Sequence, residues 1–253
     1  MSLRPTERFS DRVEDYVRHR PSYPPECVRF LCERCGWKAG DRIADVGSGT
    51  GFFGRLLIDA GLAVVGVEPN AEMRAAGEAL LRDAEGFESR DARAEATGLA
   101  AASVVGITAA QAFHWFDLER VREEFARILR PGGQVALLWN ARRTSTPFLE
   151  AYEEHLRTHG IRYAEINHMG LPESSFERFY GHGDFGPTLF DNAQRLDWEG
   201  LQGRHFSSSY VPSKDHPGYE AALEDLRRLF AAHAEEGRVT IEYDTKVFCA
   251  ALA

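Results

Sequence analysis

The residues best suited to chemistry gather in one short stretch, Ile43-Ala44-Asp45-Val46-Gly47-Ser48-Gly49-Thr50-Gly51. Three glycines alternate there, and an acid stands two residues before the first of them. Glycine reaches positive φ at no steric cost and lets backbone pass close beneath a ligand. At the strand-to-helix junction of a doubly wound sheet, such a turn lies where ligands bind. A second acid, Glu68, follows Gly49 by 19 residues, the place from which a carboxylate grips ribose hydroxyls. Two ligand classes fit. Gly49-Thr50-Gly51-Phe52-Phe53-Gly54 matches the G-x-G-x-x-G dinucleotide fingerprint, which would make the chain an NAD-dependent oxidoreductase. A pyrophosphate, however, needs the helix N-terminus open to it. The Asp45 carboxylate beside this turn suits a cationic ligand better, such as a sulfonium nucleoside carrying an ammonium group.

The elements that must position these residues follow from hydrophobic periodicity. Residues 10–20 form a short amphipathic helix, and Arg20-Pro21-Ser22-Tyr23-Pro24-Pro25 is a rigid turn leading into a helix that ends at Gly36. Strands are expected at Arg42–Val46, Leu62–Val67, Phe87–Asp91, Ser103–Thr108 and Gln134–Asn140. Helices are expected at Gly51–Ala60, Ala71–Leu81 and Leu118–Leu129, the last stopped by Arg130-Pro131-Gly132-Gly133. Continuous apolar strands alternating with amphipathic helices give an α/β, doubly wound parallel sheet with helices on both faces. Residues 142–188 break the pattern and read as a helical insertion over the ligand end of the sheet. Thr188–Trp198 and Arg238–Ala250 then alternate like strands around a helix at His216–His233.

Asp-Val-Gly-x-Gly-x-Gly at 45–51, Gly-Val-Glu-Pro-Asn-x-x-Met at 66–73, and a strand bounded by Arg-Pro-Gly-Gly resemble the class I S-adenosylmethionine-dependent methyltransferases. Tyr16-x-x-x-Arg20-Pro21-x-Tyr23-Pro24 and Gln111-Ala112-Phe113-His114-Trp115-Phe116 are similar to the small-molecule members grouped with trans-aconitate methyltransferase, the methyltransferase type 11 group. The resemblance implies a seven-stranded, Rossmann-like single domain. Residues 1–38 would be an N-terminal lid and helix, 39–141 the cofactor-binding core, 142–188 the insertion or cap, and 189–253 the strands completing the sheet. It implies S-adenosylmethionine as cofactor, with S-adenosylhomocysteine as product. Asp45, Gly47, Ser48, Gly49 and Gly51 would hold the methionine end, Glu68 both ribose hydroxyls, and Pro69 and Met73 one side of adenine. Asp91 and Ala92 would meet the adenine amino group, and Gln111 would sit near the transferable methyl. Relatives carry Gly before that Asp where this chain has Arg90.

Methyl transfer from a sulfonium is an in-line displacement, so the protein chiefly has to align the acceptor. A carboxylate acceptor needs no base; an amine or alcohol does, and His114 is the nearest candidate. Trp115 and Phe116 would wall the acceptor pocket, and Tyr16, Arg20 and Tyr23 would form the lid. Arg142-Arg143, after the fifth strand, is placed either to bind an anionic substrate or to open the insertion as a solvated pair. His155, His159, His168 and His182 show no regular ligand pattern, so no metal is expected.

The 253 residues carry 30 basic and 39 acidic side chains, a net charge of −9. That field disfavours nucleic acid and anionic lipid as partners. No apolar run approaches the ~18 residues of a membrane helix. Cys27, Cys32 and Cys35 crowd one helix, which suits reduced thiols in the cytoplasm better than a disulfide frame. A monomer or homodimer is expected. The competing readings are the NAD enzyme and a non-catalytic S-adenosylmethionine-binding module on the same fold.

Overall fold

The computed structural model describes residues 18–161, 163 and 172–253. Tyr16, His168 and most of the expected 10–20 helix lie outside the described residues.

The chain runs α1 (Pro25–Cys35), β1 (Arg42–Val46), α2 (Phe52–Asp59), β2 (Ala63–Val67), α3 (Ala71–Leu80), β3 (Phe87–Arg90), β4 (Val104–Ala110), a 3-10 turn (Phe113–Trp115), α4 (Leu118–Ile128) and β5 (Leu129–Arg142). It continues through α5 (Pro147–His159), α6 (Glu173–Tyr180), β6 (Thr188–Leu196), α7 (Trp198–Phe206), α8 (Tyr219–His233) and β7 (Val239–Ala250). The seven strands form one sheet in the order β3-β2-β1-β4-β5-β7-β6. The first five are parallel, and β7 runs antiparallel between β5 and β6. The chain winds outward from β1 to β3 and returns to β4, so the strand order reverses between β1 and β4. The crevice outside their carboxyl ends is the ligand position of such a sheet.

Both faces are covered. Val28, Leu31, Phe53 and Leu57 from α1 and α2 pack on Ile43 and Val64. Phe125 and Ile128 from α4 pack on the other face with Phe176, Phe179 and Tyr180 of α6. A third cluster joins Tyr152 and Leu156 of α5, Leu201 of α7 and Leu226 of α8 to Ile241 and Tyr243 of β7. Thus α6 of the expected cap is built into the sheet's own core rather than laid over its ligand end.

Among the described residues, 91–103 between β3 and β4 form a loop with a single bridge, Arg93 to Ala96. Three local expectations are corrected. Arg130–Gly133 does not precede a strand but lies inside β5. Leu129 pairs with Val104 and Gln134 with Gly106, so the segment bulges where Pro131 lacks an N–H and Gly132 takes φ +80°. Helix α7 begins at Trp198, the end of the expected Thr188–Trp198 strand. Its Asp197 cap accepts the Gly200 N–H at 2.9 Å, but Gly200 and Gly203 dilute the helical pattern. Helix α8 starts at Tyr219 instead of His216, after the Pro217-Gly218 step.

Candidate active site

The glycine loop is shaped from two directions. Gly47 and Ser48 donate to the Val67 carbonyl at 2.8 and 3.2 Å, tying the loop to the end of β2. Glu68 accepts the Gly49 N–H on one oxygen and the Asn70 N–H on the other, both at 2.9 Å. Gly47, Gly49 and Gly51 all take positive φ. At Gly47 a Cβ would stand 2.5 Å from the Ala112 Cβ, so the position has no room for a side chain. Asn70 in turn caps α3 by accepting the Met73 N–H at 2.9 Å. One carboxylate therefore holds the loop, the end of β2 and the start of α3 together.

Asp45 lies under that loop and is 1% exposed. Thr108 Oγ1, from β4, donates to its Oδ1 at 2.7 Å. Burial raises its pKa from the usual 3.8 to about 7, against the pull of the Thr108 hydroxyl and the Gly54 amide, and with a further push from Glu68. Burial also raises Glu68, and the Asn70 and Gly49 amides restrain the rise.

A pocket opens from the loop at the switch point. Asp45, Gly47, Ser48 and Gly49 form one side, and Gln111, Asn140, Arg20, Arg204 and Tyr243 face them. Gln111 follows β4 at φ +57°, a conformation a non-glycine residue holds at a cost of about 1–3 kcal/mol. Its N–H donates to Leu138 at 2.9 Å, which fixes the side chain at the pocket wall. Asn140 accepts from Thr245 Oγ1 at 2.5 Å and donates to the Ser22 carbonyl at 3.2 Å. Arg204 is 6% exposed. Its Nε donates to Tyr243 Oη at 3.2 Å and its Nη1 to Ser208 Oγ at 3.0 Å, and no carboxylate pairs with it among the described residues. Arg20 reaches the same wall and donates to the Ser207 carbonyl at 3.0 Å.

Residues 44–137, which span the loop, Glu68 and Gln111, match the family model described as a methyltransferase domain. Over these residues the chain is similar to that family. An uncharacterized methyltransferase of Mycobacterium tuberculosis is 40% identical over 134 residues, 53% of this chain and 52% of that protein. The alignment thus spans about half the length of that relative. An uncharacterized methyltransferase of Schizosaccharomyces pombe is 28% identical over 224 residues, 86% of each chain. A solved structure from Anaeromyxobacter dehalogenans, assigned to the type II methyltransferases, superposes with TM-score 0.57 at 22% identity, covering 92% of this chain and 98% of that one. The Bacillus subtilis YcgJ protein gives TM-score 0.56 at 16% identity over 88% and 97%. These two likenesses are ones of fold.

The remaining expected residues divide. Pro69 is half-buried, and buried Met73 lies beside the loop, its methyl 3.3 Å from where a Gly49 Cβ would stand. Asp91 is exposed and paired with Arg74 at 3.1 Å, while Arg74 also donates to the Glu68 carbonyl at 2.9 Å. Arg90 pairs with Glu88 along the edge of the sheet. Ala92 packs at the margin of the core. His114 and Trp115 do not line the pocket. Trp115 lines a separate depression with Arg93, Glu95, Asp117 and Arg120, and the His114 ring lies 4.8 Å from the indole. Phe116 packs edge-on to Phe113 and Phe125.

Both arginines of the 142–143 pair are engaged. Arg142 is buried against Glu153, donates to Tyr163 Oη at 2.9 Å and lies over Tyr152. Arg143 bridges Asp191 and Asp244. Beside Arg20, the pocket presents the guanidinium of Arg204, which sits on the helix that periodicity missed. Of the four histidines, His155 and His159 stand one turn apart on α5, and both reach Asp225 of α8.

Proposed function

We propose that the chain transfers a methyl group from S-adenosylmethionine to a small-molecule acceptor bearing a carboxylate. The observation that carries this reading is the switch-point pocket, in which the clamped glycine loop faces the buried guanidinium of Arg204. When bound, the cofactor supplies a methyl already activated on a sulfonium. The residues fit such a group. Gly47, Ser48 and Gly49 line the pocket with backbone, and Gly47, Gly49 and Gly51 hold positive φ in a loop packed too closely on Ala112, Met73 and Leu81 for side chains. Asp45 lies beneath it as the negative partner for the cationic methionine end. Glu68 has a spare lone pair on each oxygen for the two ribose hydroxyls, beyond those engaged by Gly49 and Asn70. Pro69 and Met73 flank the adenine side, with Asp91 and Ala92 at the end of β3. Gln111, held at a strained φ, fixes the wall nearest the acceptor.

On this reading Arg204 and Arg20 orient the acceptor carboxylate toward the methyl. Alignment of this kind can contribute about 7–11 kcal/mol to a displacement. A carboxylate is its own nucleophile and needs no base. That agrees with a pocket wall in which no imidazole appears among the described residues. His114 and Trp115 act on this reading from behind the wall, through the turn that follows Gln111. The charge of −9 favours a small acceptor over nucleic acid.

The test is calorimetry and thermal shift with S-adenosylhomocysteine and, separately, NAD, followed by methyl transfer to a panel of carboxylates, amines and phenols. Binding of S-adenosylhomocysteine and turnover confined to carboxylates is expected. Stabilisation by NAD alone overturns the cofactor assignment. Turnover of amines or phenols alone overturns the acceptor assignment. Binding without turnover of any acceptor favours the non-catalytic module.

A further inference from the structure

We propose that His155, His159 and Asp225 form a zinc-binding site, separate from the methyl-transfer pocket. His155 and His159 are four residues apart on α5, the spacing that puts two imidazoles on one helix face and that zinc-binding helices use. The third donor comes from α8, packed alongside. Asp225 Oδ2 lies 2.8 Å from His155 Nδ1 and 3.3 Å from His159 Nε2, and all three donor atoms fall within 4.8 Å of one another. In a tetrahedral site with metal–ligand bonds of about 2.0–2.1 Å, donors stand about 3.3 Å apart. The observed edges bracket that spacing, so small side-chain rotations complete the site.

The surroundings are those of a built site. Arg228 holds the other oxygen of Asp225 at 3.0 Å, which leaves Oδ2 turned to the imidazoles. The His155 side chain is 1% exposed, and its Nε2 has no hydrogen-bond partner among the described residues. The buried ring of His205 lies 4.9 Å away, its Nδ1 on the Tyr152 hydroxyl at 3.1 Å and its own Nε2 likewise without a partner. Ligation through Nδ1 fixes the His155 proton on Nε2, a donor next to a ring with a spare acceptor. Two imidazoles and one carboxylate suit zinc, whereas magnesium and calcium take oxygen ligands. His159 and Asp225 are 20% and 34% exposed, which leaves a route for entry and a fourth position for water. Bound there, the ion joins α5 to α8 beside His205, the residue that follows Arg204.

The full chain, stripped by a chelator and dialysed, is titrated with zinc chloride by calorimetry and with cobalt chloride by visible absorption. One equivalent, a tetrahedral cobalt spectrum and a higher melting temperature with zinc are expected. His159→Gln and Asp225→Asn should fold as the parent does and bind at least tenfold more weakly. Absence of saturable binding in the parent, or unchanged affinity in both variants, overturns the site. If the variants fail to fold, anomalous diffraction at the zinc edge from parent crystals decides. A peak among the three residues supports the proposal, and a peak elsewhere or none overturns it.

Discussion

Asp45 spends stability to keep a carboxyl under the glycine loop. Its pKa is about 7 in the folded chain against 3.8 ordinarily, so the folded state holds a proton that the unfolded state has released. The sign follows from linkage: this contribution is fully present below about pH 4, falls as pH rises and is lost above about pH 7. Three units correspond to about 4 kcal/mol. Asp45→Asn mimics the protonated form and should flatten that slope, leaving the ligand-free protein more stable than the parent at pH 8 by urea denaturation. The same change should weaken S-adenosylhomocysteine binding at least tenfold; unchanged affinity would remove Asp45 from the site. Gly47→Ala combines a 2.5 Å clash with a positive φ and should lower stability by about 1–3 kcal/mol together with cofactor affinity. Arg204→Lys keeps the charge but loses the planar fork, so KM for a carboxylate acceptor should rise about tenfold while S-adenosylhomocysteine affinity stays within twofold. At this scale the sequence disclosed the acids and glycines, because their chemistry is tied to a fixed spacing from one turn. Arg204, Tyr243 and Asn140 were silent, since they reach the pocket from elements far apart in the chain.

Elements were legible where one force dominated. Strands β1 and β2 carry the continuous apolar runs of doubly covered strands, and both begin within one residue of the expected place. Helices α3 and α4 combine a polar cap with an amphipathic stripe, Asn70 in one case and Asp117 in the other. Reading failed where a local signal met a tertiary one. The Pro-Gly-Gly turn was absorbed as a bulge because the residues on either side of it, Leu129 and Gln134, both pair with β4. Helix α7 tolerates Gly203 because the His19 ring lies against it, 2.2 Å from where a Cβ would be. Helix α7 also carries Arg204. Asp197→Ala removes its cap and should cost about 1 kcal/mol. The expected signature is a raised acceptor KM with unchanged cofactor binding, measured by initial rates and calorimetry.

For the whole molecule, the sheet's strand order makes the cofactor side and the acceptor side separable. The loop, Glu68 and Asp45 belong to β1, β2 and α3, while the opposite wall is assembled from β5, β7 and α7. A ligand held only by the first set still stabilises the fold through mass action. S-adenosylhomocysteine at a hundredfold excess over Kd should add about 2.7 kcal/mol, roughly 5–10 °C in Tm for a chain of this size. Scanning calorimetry checks that shift, and Arg204→Lys should leave it intact. No helix among the described residues is long and apolar enough to cross a membrane.

The position of β7 has a consequence for the order of events during synthesis. This strand is made after every other strand, yet it fills the gap between β5 and β6 and brings Tyr243 to the pocket. Until residues 239–250 leave the ribosome, β6 has no neighbour to pair with and the pocket lacks the wall that Tyr243 supplies. A nascent chain can therefore complete the glycine loop and its Glu68 clamp early, but it gains the opposite wall of the pocket only when β7 slides into place.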